Sequence, residues 1–224
     1  MDDAAQIQFD AIPSFLGVPV GDLEDLVPGQ VAIAGYFCDN LDRPAPGQRY
    51  LARQLRYASR PGNAPANVID LGDVNVFPLE RDKHYSAVAK QCAAVLETGA
   101  RLVLVGGDSS GLKALGIAAQ EAIGSDVSVV SVTEGTRSNR PKTEPIILSV
   151  DLNELAGIWV SHPRRLTGLS PAQMIAQIDA TPGNAIAAAV FGLAPALDDR
   201  GRTETRAALA ILQAVAERLE KGEV

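Results

Sequence analysis

The pattern of apolar and polar positions turns on one stretch in the middle of the chain. Residues 102–105 are four consecutive large aliphatics closing on Gly106 and Gly107, and residues 112–123 space their apolar positions helically. A run apolar at every position suits a strand covered on both faces, so the stretch predicts strand, tight turn and helix. Further apolar runs predict strands over 31–37, 67–78, 126–132, 145–150 and 184–193, and spacings of three and four predict helices over 48–59, 83–98 and 203–219. Ser170, Pro171 and Gln173 mark the start of another helix, with a cap residue, proline at the first position and a reciprocal glutamine. Pro78 cannot donate to a central ladder, so its segment reads as a strand with an edge extension. Pro44, Pro46 and Gly47 preclude helix or central strand after the first strand. Residues 1–30, broken by Pro13, Pro19 and Pro28, read as an irregular lead-in. Strands alternating with helices of this length imply one α/β domain, spanning 1–224, on a parallel sheet with helices on both faces.

Composition narrows the partners. A formal charge of -7 and a pI near 4.9 argue against nucleic acid or an anionic membrane, since both reward a basic face. No run reaches the length of a membrane span, and the start, Met1-Asp-Asp-Ala-Ala, is acidic where a secretory signal is basic, so the expectation is a cytoplasmic protein. Cys38 and Cys92 lie far apart in apolar stretches and read as buried free thiols rather than a disulfide or zinc pattern.

Ligands of open parallel sheets bind beyond the carboxyl ends of the strands. Those ends offer Cys38, Asp39, Asp108, Ser109, Ser110, Glu134, Thr136, Asp151 and Asn153. Several carboxylates converging at one edge suit a hard cation, and a transition-metal site would add imidazole. The two histidines, His84 and His162, do not directly follow strands, which argues against an imidazole-rich centre. The segment Gly107-Asp-Ser-Ser-Gly111 misses the spacing of a serine-hydrolase elbow. Two roles stay open for it: rim of a site, or a glycine turn with Ser109 capping the following helix. His162 precedes Pro163 and the pair Arg164 and Arg165, a local cationic spot that suits either a carboxylate or phosphate ligand or a solvated turn.

Four pieces of sequence, in order, resemble the arginase and agmatinase (ureohydrolase) family. Gly35-Tyr-Phe-Cys-Asp39, followed by Arg43-Pro-Ala-Pro-Gly47 and Leu55-Arg-Tyr-Ala-Ser59, is similar to that family's first strand end, its R-P-G-A loop and its R-x-A-S helix end. Val68-Ile-Asp-Leu-Gly-Asp-Val74 resembles D-x-G-D-V, Val105-Gly-Gly-Asp-Ser-Ser110 resembles G-G-D-H-S, and Leu148-Ser-Val-Asp-Leu-Asn153 resembles S-x-D-x-D. The resemblance implies a three-layer α/β/α fold with a mostly parallel central sheet, and a family that commonly forms trimers and hexamers.

The departures from that pattern bear on function. The family holds two manganese ions with the histidine of G-G-D-H, with D-A-H-x-D and with the aspartates of D-x-D. On this chain those positions fall on Ser109, on Glu134, Thr136 and Ser138, and on Asp151 and Asn153. The glutamate of the family's V-E-x-x-P strand end, which grips the guanidinium, falls on Gly192. Only six residues, 139–144, separate the Glu134 segment from the next strand, where the family places further strand and helix units, so the chain reads as a shortened member. The expectation is a relative that has lost the binuclear manganese site and needs no cofactor. It would serve as a non-catalytic binding or assembly protein, a homo-oligomer or hetero-oligomer with a related subunit, with a small-molecule ligand in the old pocket. The alternative is a hydrolase of altered chemistry acting on a C–N bond of a small guanidino or amidino metabolite, with one metal or none.

Overall fold

The computed structural model describes residues 13–39, 41, 46–60, 65–124, 126–133, 141–156, 167–200 and 202–222. Six strands form one sheet: β1 (Val31–Gly35), β2 (Val68–Asp73), β3 (Arg101–Val105), β4 (Ser128–Ser131), β5 (Pro145–Asp151) and β6 (Asn184–Phe191). Five α-helices accompany them: α1 (Leu51–Ala58), α2 (Arg81–Glu97), α3 (Ser110–Ile123), α4 (Pro171–Ala180) and α5 (Thr203–Glu220). The strand order is β2-β1-β3-β6-β5-β4, and every pairing is parallel.

Alternate residues of each central strand feed two separate cores. Val31, Ile33, Val103 and Val105 pack on one face with Leu51 and Leu55 of α1, Met174 and Ile178 of α4, and Ile211, Leu212 and Val215 of α5. Ala32, Ala34, Leu102 and Leu104 pack on the other face with Val88, Cys92 and Leu96 of α2 and Ala114, Leu115 and Ala118 of α3. Burial on both faces explains why these strands carry no polar alternation. The result is the three-layer α/β/α architecture that the alternation of elements predicts.

Element ends follow local chemistry. The Ser170 side chain accepts from the Gln173 amide and the Gln173 side chain from the Ser170 amide, with Pro171 opening α4. The predicted first strand runs two residues too long. Tyr36 leaves the regular strand after Gly35, although its amide still donates to the Val105 carbonyl at 2.8 Å. The predicted helix over 48–59 opens as a 3-10 turn over Gln48–Tyr50 before α1 begins. The lead-in from residue 13 contains 3-10 turns at Phe15–Gly17 and Leu23–Asp25, and Val20 bridges Asp70 on edge strand β2.

Two of the resembling motifs and the lead-in converge at β2. Arg56 donates to both oxygens of buried Asp70 at 2.8 and 2.9 Å, to Asp73, and to the Gly72 carbonyl, while Asp70 also accepts the Phe15 amide. The guanidinium stacks 4.1 Å from the Phe15 ring centroid. This ties α1, β2 and the lead-in together with hydrogen bonds that a buried carboxylate needs.

Candidate functional site at the carboxyl edge of the sheet

Connections leave β1 and β3 for opposite faces of the sheet, α1 for one and α3 for the other, so the crevice between their carboxyl ends is the topological switch point. The loops there are knitted by main-chain hydrogen bonds. The Asp108 amide donates to the Cys38 carbonyl at 2.9 Å, and the Gly192 amide donates to the Gly107 carbonyl at 3.2 Å. Gln48 bridges two of these turns, accepting the Gly107 amide on its carbonyl and donating Nε2 to the Gly192 carbonyl. Gly107 has φ +67°, and a Cβ on it would lie 2.4 Å from the Cys38 carbonyl oxygen, so only glycine fits this close approach.

The strand-end carboxylates are engaged by their own surroundings. Asp39 is buried, and its Oδ2 accepts the Gly47 amide at 2.7 Å and the Arg49 amide at 3.4 Å. Asp151 Oδ1 accepts the Asn153 amide at 2.9 Å and its Nδ2 at 2.7 Å. Gly192 lies against that pair: with φ +98°, a Cβ on it would sit 2.4 Å from both Asn153 Nδ2 and Asp151 Oδ1. Asp108, also buried, accepts the Leu41 amide on Oδ2 and both the amide and the hydroxyl of Ser110 on Oδ1.

Ser110 begins a longer buried network. Its Oγ lies 2.6 Å from the Tyr36 hydroxyl, which lies 2.6 Å from His84 Nε2, and His84 Nδ1 accepts the Phe77 amide at 3.2 Å. Burial pushes the Tyr36 phenol far above its ordinary value and pushes the His84 imidazole below its own. Burial likewise pushes the Cys92 thiol up to about 12, which makes it an inert core group. Cys38 is a buried free thiol too.

Ser109 stands at the N-cap of α3 but its side chain makes no cap hydrogen bond, so the capping role that the sequence left open for it is not what the structure has. Glu134, Thr136, Ser138, His162, Arg164 and Arg165 lie outside the described residues.

A second acidic group lies where β6 hands the chain to α5, and a helix that follows a strand starts at this same edge. Ligand atoms of Asp198, Asp199 and Glu204 lie within 4.8 Å of one another, a group able to hold one cation. The group also caps α5: Asp198 accepts the Glu204 and Thr205 amides at 3.0 Å each, and Asp199 accepts the Thr203 amide at 3.0 Å. Burial pushes the Asp198 carboxyl up, but hydrogen bonds with Glu204 and Thr205 outweigh it and hold the group below the usual carboxylate range.

A three-layer, all-parallel α/β/α sheet with its polar loops gathered at the carboxyl edge defines the class. Within that class the chain matches the arginase (ureohydrolase) fold family, with the arginase family pattern matching residues 29–133. The structure is similar to a hypothetical agmatinase from Burkholderia thailandensis, with 19% identity and a TM-score of 0.80 over 95% of this chain and 92% of that one. It is also similar to proclavaminate amidino hydrolase from Streptomyces clavuligerus, with 14% identity and a TM-score of 0.76 over 96% and 99%. Formimidoylglutamase from Bacillus subtilis follows, with 13% identity and a TM-score of 0.73 over 100% and 98%. At these identities the likeness establishes the fold. No curated protein matches the chain in sequence.

The family's manganese pair can be tested against the described donors. The resemblance places three of its ligand positions among the described residues, at the Ser109 hydroxyl, the Asp151 carboxylate and the Asn153 carboxamide, and Asp151 Oδ1 accepts two N–H groups of Asn153. Among the described residues these positions offer one carboxylate, one amide and one hydroxyl, and Glu134, Thr136 and Ser138 lie outside them.

Sequence reasoning missed two features. It set His84 aside because the residue follows no strand directly, yet α2 begins at the carboxyl edge and carries His84 in its first turn, into contact with Tyr36. The signal was available: His84, Val88 and Cys92 share one apolar helical face. The sequence reading singled out none of Asp198, Asp199 and Glu204, the last of which falls within its final helix over 203–219, and nothing in their spacing marked them.

Proposed function

We propose that the chain is a ureohydrolase-fold protein of altered chemistry, a hydrolase acting on a C–N bond of a small guanidino or amidino metabolite with at most one cation. The observation that carries this reading is the acidic group Asp198, Asp199 and Glu204 at the edge where ligands of such sheets bind, in a fold shared with an amidino hydrolase and a formimidoylglutamase. Asp198, Asp199 and Glu204 would hold one hard cation there, and when bound it would supply Lewis-acid polarisation of the substrate or of a water, which is the chemistry C–N hydrolysis needs. The residues of this chain would bind the cation through carboxylate oxygens and orient the substrate through the switch-point loops.

A second reading has its own observation. The strand-end carboxylates Asp39, Asp108 and Asp151 accept hydrogen bonds from their own loops, and this favours a non-catalytic binding or assembly protein that keeps the scaffold. Assembly with a second copy or a related subunit belongs to this reading.

The test is hydrolysis of a panel of agmatine, arginine, guanidino acids and formimidoyl amino acids by the full chain, with Mn²⁺, Zn²⁺ or Mg²⁺ added singly. The first reading expects release of urea, ammonia or formamide with the matching amine, lost in Glu204→Gln. No release from any substrate with any cation would leave the binding reading in its place.

A further inference from the structure

The buried chain from Phe77 to Asp108 has only one consistent arrangement of protons. The Phe77 amide can only donate, so His84 Nδ1 accepts and carries no proton, and the single ring proton of a neutral imidazole sits on Nε2. Nε2–H then donates to Tyr36 Oη, whose own proton is left to donate to Ser110 Oγ. Ser110 in turn donates to the Asp108 carboxylate, an acceptor. Four groups, each almost wholly buried, thereby link the loop after β1, the loop between β2 and α2, and the turn after β3. These are three of the loops that form the carboxyl edge.

We propose that His84 is the latch of a pH-sensitive switch that couples these three loops. Protonating the ring places an N–H on Nδ1, and two donors then face each other where Phe77 now bonds at 3.2 Å. The proton adds to Nδ1 from solvent, and the bond lost is Phe77 N–H to Nδ1. The loop carrying Phe77 is thereby released from the buried end of the chain, while Nε2–H still donates to Tyr36. The switch follows from the fold and the hydrogen-bond directions, and it stands whether or not the protein hydrolyses anything.

The groups around His84 set the direction. Tyr36, which has Cys38 beside it, faces the ring from the loop after β1, Asp108 acts on it from the turn after β3, and Tyr85 faces it from α2 itself at 5.7 Å between rings. Lys113 of α3 sits over the Tyr85 ring at 4.5 Å from its centroid. Asp108 favours the charged imidazole, but burial outweighs it, so the latch stays closed at neutral pH and opens below the ordinary histidine range.

Long-range ¹H–¹⁵N spectra of the full chain test the arrangement directly, because there are only two histidines to assign. The expected result is an Nε2–H tautomer for His84 at pH 7.5, with a titration midpoint below 6.5. Hydrogen exchange of the Phe77 amide, corrected for the intrinsic rate, should then speed up on acidification through that midpoint, while the Leu104 amide in β3 does not change. The acceleration is about tenfold per pH unit while the protonated fraction rises. His84→Gln, which can accept and donate but not titrate, should abolish this acceleration. An Nδ1–H tautomer would overturn the proposal. So would Phe77 exchange that stays constant while His84 titrates, or the same acid-driven acceleration in His84→Gln. The wild-type measurements decide the question even if that variant does not fold.

Discussion

Placing a glutamate at Gly192, where the resemblance aligns the strand-end glutamate of the ureohydrolase family, should destabilise this protein. In Gly192→Glu the new Cβ would stand 2.4 Å from Asn153 Nδ2 and 2.4 Å from Asp151 Oδ1, on a backbone with φ +98°. A side chain at such a φ costs about 1–2 kcal/mol. Displacing the Asp151–Asn153 side-chain hydrogen bond costs about 1 kcal/mol. Moving the packed atoms that line the position costs about 1–3 kcal/mol. The sum, about 3–6 kcal/mol, is a large share of the stability of an ordinary domain. With a urea slope of about 3 kcal/mol/M the unfolding midpoint should fall by about 1–2 M. Gly192→Ala should show most of the loss, because backbone and Cβ carry most of the cost. Equilibrium urea unfolding followed by circular dichroism reads both variants against wild type. A Gly192→Glu protein with an unchanged midpoint would refute the reasoning, since Asp151 and Asn153 would then have to sit elsewhere.

The remaining predictions concern other parts of the molecule. Asp70→Ala leaves Arg56 only Asp73 and the Gly72 carbonyl and removes the acceptor of the Phe15 amide, so it should cost about 2–4 kcal/mol in urea unfolding with an unchanged slope. Leu104→Ala in the α2 and α3 core should cost about 2–5 kcal/mol, while Val129→Ala on exposed edge strand β4 should change stability by about 0.5 kcal/mol or less; thermal unfolding separates them. Asp198→Ala removes acceptors from the first turn of α5 and should cost about 1–2 kcal/mol. Because the folded-state value of Asp198 lies below the unfolded one, its contribution is complete above the ordinary carboxylate range and fades as pH falls toward the folded value. Wild type should therefore lose more stability than Asp198→Ala between neutral pH and pH 3. For His84 the folded value is also the lower one, so its contribution is complete above about pH 6.5 and fades on acidification below that. His84→Gln should flatten that part of the stability profile in pH-dependent melting.

The fold was legible because its signals are local and redundant. The aliphatic run ending in Gly106 and Gly107 fixes β3 and its turn, the serine, proline and glutamine at 170–173 fix the start of α4, and alternation of elements fixes the parallel sheet. What escaped depended on tertiary position. Tyr36 looks like the continuation of β1, yet it turns inward to meet His84 and Ser110. His84 was judged by the strand before it rather than by the helix face it shares with Val88 and Cys92. Asp39, Asp108 and Asp151 stand at or just beyond strand ends, and only geometry shows that their oxygens already accept neighbouring N–H groups. The Asp198 group owes its closeness to the turn into α5, which no spacing rule announces.

The function proposed above requires that the carboxyl edge of this ureohydrolase-fold sheet take at most one cation, where the family it resembles uses a pair. Equilibrium dialysis of the full chain against Mn²⁺ at about pH 7.5, with metal counted per chain by elemental analysis, measures this directly. The account predicts one equivalent or fewer, with any bound ion lost in Glu204→Gln. Two equivalents per chain, retained in that variant, would contradict it.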